Sequence, residues 1–172
     1  MLRRLTLADA AEYRELMIEA HASAPEAFTT SLAERRALPL AWWQQRLSAQ
    51  SDAPEAVFGA LQAGSLVAAA GLRREARERA RHKAILFGLF VRAAARGQGL
   101  GEALVHAVLD HARSQQGVLQ VQLTVTEGNA TAIRLYERCG FASYGVEPMA
   151  VRLGEQYLDK RLLWRPLHAT TG

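Results

Sequence analysis

Residues 95–104 read ARGQGLGEAL, with three glycines at alternate positions directly after Arg96 and directly before a run of helical periodicity. The first turn of a helix presents N–H groups without intrahelical partners and a partial positive charge, so a turn of this kind suits an anion. Glycine lets the backbone approach that anion closely and tolerates positive φ. The spacing excludes two common phosphate binders. A dinucleotide fingerprint starting at Gly97 needs a third glycine where Glu102 stands, and a P-loop needs Lys and Ser/Thr after its last glycine, where Gly101 is followed by Glu102 and Ala103. What remains is R-x-x-G-x-G over Arg96, Gly99 and Gly101, with Gly97 and Gln98 between. A tight strand–helix turn holding nothing is the plainer alternative.

The elements that must position this turn are legible on both sides. KAILFGLFV (83–91) is a continuous apolar run of the kind buried on both faces of a sheet. After the turn, Leu100, Leu104, Val108 and Ala112 recur every fourth residue, predicting a helix over 100–117 that stops at Gly117. VLQVQLTVT (118–126) alternates as a strand, and NATAIRLYERCG (129–140) reads as a short helix with Asn129 as N-cap and Gly140 at its end. Upstream, 2–7 reads as a strand and 9–21 as a helix with Ala10, Tyr13, Leu16, Met17 and Ala20 on one face. Residues 22–40 read as a loop with one helical piece, and 41–50 as a short helix anchored by Trp42, Trp43 and Leu47. A hairpin is expected over 56–74 around Ala63-Gly64-Ser65, and two further strands over 141–167. The expectation is one α/β domain over 1–167 and a short tail at 168–172.

Composition narrows the function classes. A chain of 172 residues with 49% hydrophobic and 22% charged residues is long and apolar enough for a sizeable core. Cys139 is the only cysteine, which excludes an internal disulfide and a cysteine metal site and fits a cytoplasmic setting. The five histidines lack metal-ligand spacing, so no metal is expected and surface or satisfied histidines are the default. No apolar run approaches the ~20 residues of a membrane helix. Between Arg73 and Lys83, six Arg/Lys face two Glu, a net of +4 that equals the whole chain's. That stretch has no aromatic residue, so it reads as a solvated hairpin loop and not as a nucleic-acid surface.

The two flanks of the glycine turn carry a resemblance. FGLFVRAAARGQGLGEAL and LTVTEGNATAIRLYERCGF, in this order, together with the opening RRLTLADAAEYREL and the ending GEQYLDKRLLW, resemble the GNAT superfamily of N-acetyltransferases over nearly the whole chain. The resemblance implies a mixed, mostly antiparallel sheet of six to seven strands, about four helices, and splayed fourth and fifth strands. It implies acetyl-CoA as cosubstrate, its pyrophosphate on the backbone of Gly97, Gln98, Gly99, Leu100 and Gly101 with Arg96 adding charge. The pantetheine arm would enter the gap beside Leu89, Phe90 and Val91, and the N–H of Phe90 or Leu89 would polarise the acetyl carbonyl. Asn129 and Ala132 would lie near the same arm. Tyr136 would be the general acid to the leaving thiolate, a phenol with an ordinary pKa near ~10 being protonated at neutral pH.

The general base is unassigned. The fourth strand carries no carboxylate, and Glu127 and Glu26 are the nearest guesses; a water chain or an acceptor amine of low pKa needs neither. The resemblance places the acceptor between residues 22–45, with Glu26, Phe28, Trp42 and Trp43, and residues 146–157, with Glu147, Met149, Arg152 and Tyr157. A small-molecule amine or an exposed peptide amine fits that mixture, and a homodimer is left open. The alternative is an acetyl-CoA-binding sensor without catalysis.

Overall fold

A computed structural model describes residues 1–168; of the expected tail, residues 169–172 lie outside the described residues. The apolar runs form one seven-stranded sheet. Its strands are β1 (Leu2–Arg4), β2 (Glu55–Gln62), β3 (Ser65–Arg74), β4 (Lys83–Val91), β5 (Gln120–Thr126), β6 (Ala142–Leu153) and β7 (Gln156–Pro166), in the order β1-β2-β3-β4-β5-β7-β6. Every neighbouring pair is antiparallel except β4 and β5, which are parallel. Five α-helices accompany it where about four were expected: α1 (Ala10–Ser23), α2 (Leu32–Ala37), α3 (Leu40–Arg46), α4 (Leu100–Ser114) and α5 (Ala130–Arg138). The short α2 owes its place in a turn-rich stretch to a capping box. Ser31 Oγ accepts from the Glu34 N–H at 3.1 Å, and the Glu34 carboxylate accepts from the Ser31 N–H at 2.7 Å.

Two cores cover the sheet. On one face the stripe of α4 (Leu104, Val108 and Ala112, fully buried) packs with Ile133 and Tyr136 of α5 against Leu72, Leu86 and Val121. On the other, the predicted face of α1 packs with Trp43 and Leu47 against Val57, Leu66 and Phe90. Burying one such aliphatic side chain contributes roughly 1.5–3 kcal/mol, so these faces hold the helices down. One boundary differs from its expectation. The strand expected from Val118 begins at Gln120, because Leu119 still belongs to the incoming loop. Leu119 is exposed, and its N–H donates to the His82 carbonyl at 2.8 Å.

A change of phase inside β4 shapes everything near the glycine turn. Ala84 and Leu86 face the α4 core, as alternation requires, yet the next residues on that core are Leu89 and Val91. Phe87 and Phe90 face the α1 core. One residue has therefore been inserted, and the β3–β4 register shifts at this point, between Ala69 and Gly71. Gly88 sits in the bulge at φ +63, a conformation open to glycine and strained for most other residues.

Beside the bulge, β3 comes very close to the Phe87 ring: a Cβ on Gly71 would lie 2.3 Å from Cζ. Gly71→Ala is expected to destabilise the protein by about 1–3 kcal/mol through overpacking. Urea unfolding checks it, as a lower midpoint at unchanged m-value.

Candidate active site

The site begins where two strands part. β4 and β5 pair only across Lys83–Ile85 and Gln120–Gln122, then diverge while each keeps its outer partner, β3 or β7. The facing edges of Phe87–Val91 and Leu123–Thr126 are thus left without a ladder, and a cavity of ≈ 330 Å³ opens between them. Its lining comes from both faces of the sheet, with Leu89, Asn129, Ala132 and Tyr136 on the α4/α5 side and Met17, Phe28, Trp43 and Phe87 on the α1 side.

Toward the α4 face, beyond the end of β4, lies the glycine turn. Gly97 and Gly99 have φ of +74 and +75, and nothing lies within 4 Å of a Cβ built on either. The first backbone bond of α4 runs from the Ala103 N–H to the Gly99 carbonyl at 3.0 Å, and the N–H groups of residues 97–102 find no protein acceptor among the described residues. Arg96 braces the turn by donating from Nε to the Val91 carbonyl at 3.0 Å, and Gln98 accepts from Gln62 at 2.7 Å. Gly101 has a different reason to be glycine. Its Cβ would lie 3.0 Å from Leu135 Cδ1, so it lets α4 and α5 touch.

Of the expected coenzyme residues, Leu89, Asn129, Ala132 and Tyr136 line the cavity, whereas the side chains of Phe90 and Val91 pack into the two cores. Asn129 caps α5, its Oδ1 accepting from the Ala132 N–H at 3.2 Å. The Tyr136 ring is 7% exposed and packs edge-on to Phe141 at 5.9 Å. Burial pushes its phenol well above the ordinary range, so the hydroxyl holds its proton throughout the neutral range.

Neither guessed base reaches the cavity. Glu127 is held by Arg161 in a fork of 2.7 and 3.0 Å, and Glu26 contributes only its carbonyl, which accepts from Thr126 Oγ1 at 2.8 Å. Among the described residues no aspartate or glutamate lines the cavity, while Arg35, Arg46, Arg73 and Lys160 do. From the acceptor regions expected in the sequence, Phe28 and Trp43 are present, but Glu147, Met149, Arg152 and Tyr157 are not. His21, expected as an ordinary satisfied histidine, is satisfied and also lines the cavity. Its Nδ1 lies 2.7 Å from the Met17 carbonyl and so carries the proton, its ring stacks on Phe28 at 3.9 Å, and burial lowers its pKa. Because the acceptor is the backbone carbonyl one helical turn earlier, no residue type in the sequence signals this bond.

Residues 13–141 match the acetyltransferase (GNAT) family, and the chain belongs to it. A mycothiol acetyltransferase of Thermobispora bispora is 52% identical over 54 residues, which are 31% of this chain and 18% of that relative. An L-methionine sulfoximine/L-methionine sulfone acetyltransferase of Pseudomonas aeruginosa is 35% identical over 71 residues, 41% of each chain. The chain thus matches less than half the length of these relatives. A phosphinothricin acetyltransferase from Sinorhizobium meliloti, solved in complex with AcCoA, shares the fold at a TM-score of 0.82 and 22% identity, over 99% of this chain and 90% of that one.

The neutral state of His21 makes stability depend on pH. Because its folded pKa is lowered, the unfolded chain takes up a proton below about pH 6.5 that the native protein refuses. The unfolding free energy is expected to fall as pH drops from about 7 to about 5, and less steeply in His21→Gln. The remaining slope includes His111, likewise lowered by burial. Urea titrations at both pH values check this.

Proposed function

We propose that the protein is an N-acetyltransferase that moves the acetyl group of acetyl-CoA to a primary amine by direct attack in a ternary complex. The observation that carries this reading is the interrupted β4–β5 ladder, with unpaired N–H groups of the glycine turn beyond its α4 face and Tyr136 on its wall. Acetyl-CoA supplies an activated acyl carbon with a thiolate leaving group. The N–H groups of residues 97–101 and the Arg96 guanidinium bind its pyrophosphate. The free edge of β4 at Leu89–Val91 receives the pantetheine amides as a strand would, with Asn129 and Ala132 beside them.

The proton balance closes through one side chain. A neutral amine forms the new N–C bond, the C–S bond breaks, and the Tyr136 phenol gives its proton to sulfur. The proton released from nitrogen returns through solvent to the phenolate, so no carboxylate is required. A wall of Arg35, Arg73 and Lys160 favours the neutral form of an entering amine by like-charge repulsion. The buried free thiol of Cys139, raised in pKa by its burial, needs no part in this and accords with a reducing cytoplasm.

Calorimetric titration tests the binding half. Acetyl-CoA is expected to bind the wild type and not Gly99→Glu, where a carboxylate enters the anion turn. The site is open, so the cost expected for the variant is the strain of a side chain in the left-handed conformation, about 1–2 kcal/mol. Equal binding by both proteins would remove the turn from the site. For catalysis, Tyr136→Phe is expected to lower kcat by ~10²–10⁴ while leaving acetyl-CoA affinity nearly unchanged, read from thiol release and calorimetry. Binding without turnover across a broad amine panel would instead indicate a sensor.

A further inference from the structure

One member of the cationic wall, Arg35, lacks the oxygen partners that the other partly buried guanidiniums have among the described residues. Arg3, Arg46, Arg92 and Arg161 are matched with a carboxylate, and Arg4, Arg14, Arg74 and Arg165 donate to backbone carbonyls. Arg35 is half-buried and lines the cavity, yet no carboxylate lies within 4.0 Å of it among the described residues. Neutral groups hold it instead. Its guanidinium lies over the Trp42 ring at 5.0 Å, and its Nε donates to His21 Nε2 at 3.4 Å. The Met17 carbonyl fixes the His21 tautomer that leaves Nε2 free to accept. With Nε engaged, the terminal nitrogens of the fork are left for another group. Lys160 is also half-buried, and its Nζ donates only to Thr29 Oγ1, at 2.7 Å. Arg73 adds a third charge from β3.

Cations withdrawn from water are stabilised by an opposite charge, and the half-buried Arg35 and Lys160 face, together with the exposed Arg73, one cavity whose described lining offers none. They also stand apart from the anion turn that serves the pyrophosphate. Arg35 belongs to the α1 side of the sheet, beside His21, Phe28 and Trp42, whereas the glycine turn opens α4 on the other side. The missing counter-charge therefore belongs to the second ligand.

Resting on the acetyltransferase reading, we propose that the acceptor is a small amine carrying its own carboxylate, a free amino acid and not a peptide N-terminus. Arg35 receives that carboxylate in its fork, with Arg73 and Lys160 completing the anionic subsite. A planar guanidinium matches a carboxylate bidentately, which fixes the orientation of the attached amine. A peptide N-terminus offers a neutral amide in place of that carboxylate, and the volume of ≈ 330 Å³ suits a small acceptor beside the acyl end of the coenzyme.

The test compares three forms of each of the common amino acids as acceptors with saturating acetyl-CoA: the free acid, its amide and its decarboxylated amine. At least one free acid is expected to exceed both counterparts by ~30-fold or more in kcat/KM, the range for losing one partner of a desolvated charge pair. Arg35→Gln is expected to shrink that preference at least ~10-fold while its calorimetric affinity for acetyl-CoA stays within ~2-fold of wild type. Amides or plain amines used as well as the acids, or no free acid used by a protein that binds acetyl-CoA, would overturn the proposal. So would an Arg35→Gln protein that loses acetyl-CoA affinity along with acceptor preference, since the guanidinium would then serve the coenzyme. Failure of the wild type to bind acetyl-CoA would remove the acetyltransferase reading itself, and this one with it. The comparison of acids with amides uses the unaltered protein, so it stands even if the variant folds poorly.

Discussion

The extra residue in β4 is the constraint on which the rest depends. A continuous parallel pairing of β4 with β5 would join the sheet through Val91 and leave no cavity. The bulge at Gly88 re-phases the strand, so Leu89 and Val91 take up the core of α4 and α5 that Ala84 and Leu86 occupy below. From Leu86 onward β4 follows β3 while β5 follows β7, and the two edges separate. The helices on either face then bring chemistry to the opening, α5 its tyrosine, α1 a neutral histidine, and α2 and α3 an arginine each. Gly71 belongs to the same device, since only a residue without a side chain lets the Phe87 ring lie against β3.

Much of this was legible in the chain and some was not, for physical reasons. The glycine turn, its strand and its helix are contiguous, so spacing exposed them, and helical periodicity gave the face of α1 and the stripe of α4. Tyr136 was legible through the run around it, and its register on α5 does bring it to the gap. The cationic wall was not readable. His21, Arg35, Arg73 and Lys160 come from α1, α2, β3 and β7, and no local pattern links positions so far apart. Glu127 shows the converse: a carboxylate at the right place along the chain, taken up by Arg161 across the sheet. The start of β5 slipped by two residues because periodicity does not see the Leu119–His82 hydrogen bond.

The charge balance carries a related lesson. The excess of +4 is matched by residues 73–83 alone, which left the remainder neutral in sum. Neutral in sum is not neutral in place. Elsewhere Asp9, Glu55, Glu19 and Glu127 are paired with Arg3, Arg46, Arg92 and Arg161, and none of the four lines the cavity. The positive field in the gap is therefore produced as much by where the acids have been spent as by where the bases stand.

The parted strands have one more consequence. A strand edge with unused N–H and C=O groups is normally a template on which a second chain can add, and proteins blunt such edges at the margins of their sheets. Here the unused edges lie in the middle of a seven-stranded sheet, between β3 on one side and β7 on the other, with helices packed above and below. Another polypeptide strand with side chains on both faces meets those helices before it meets the edge. A slender, unbranched chain of amides does not. The fold thus keeps a sticky edge in reserve and lets molecular width decide what is allowed to use it.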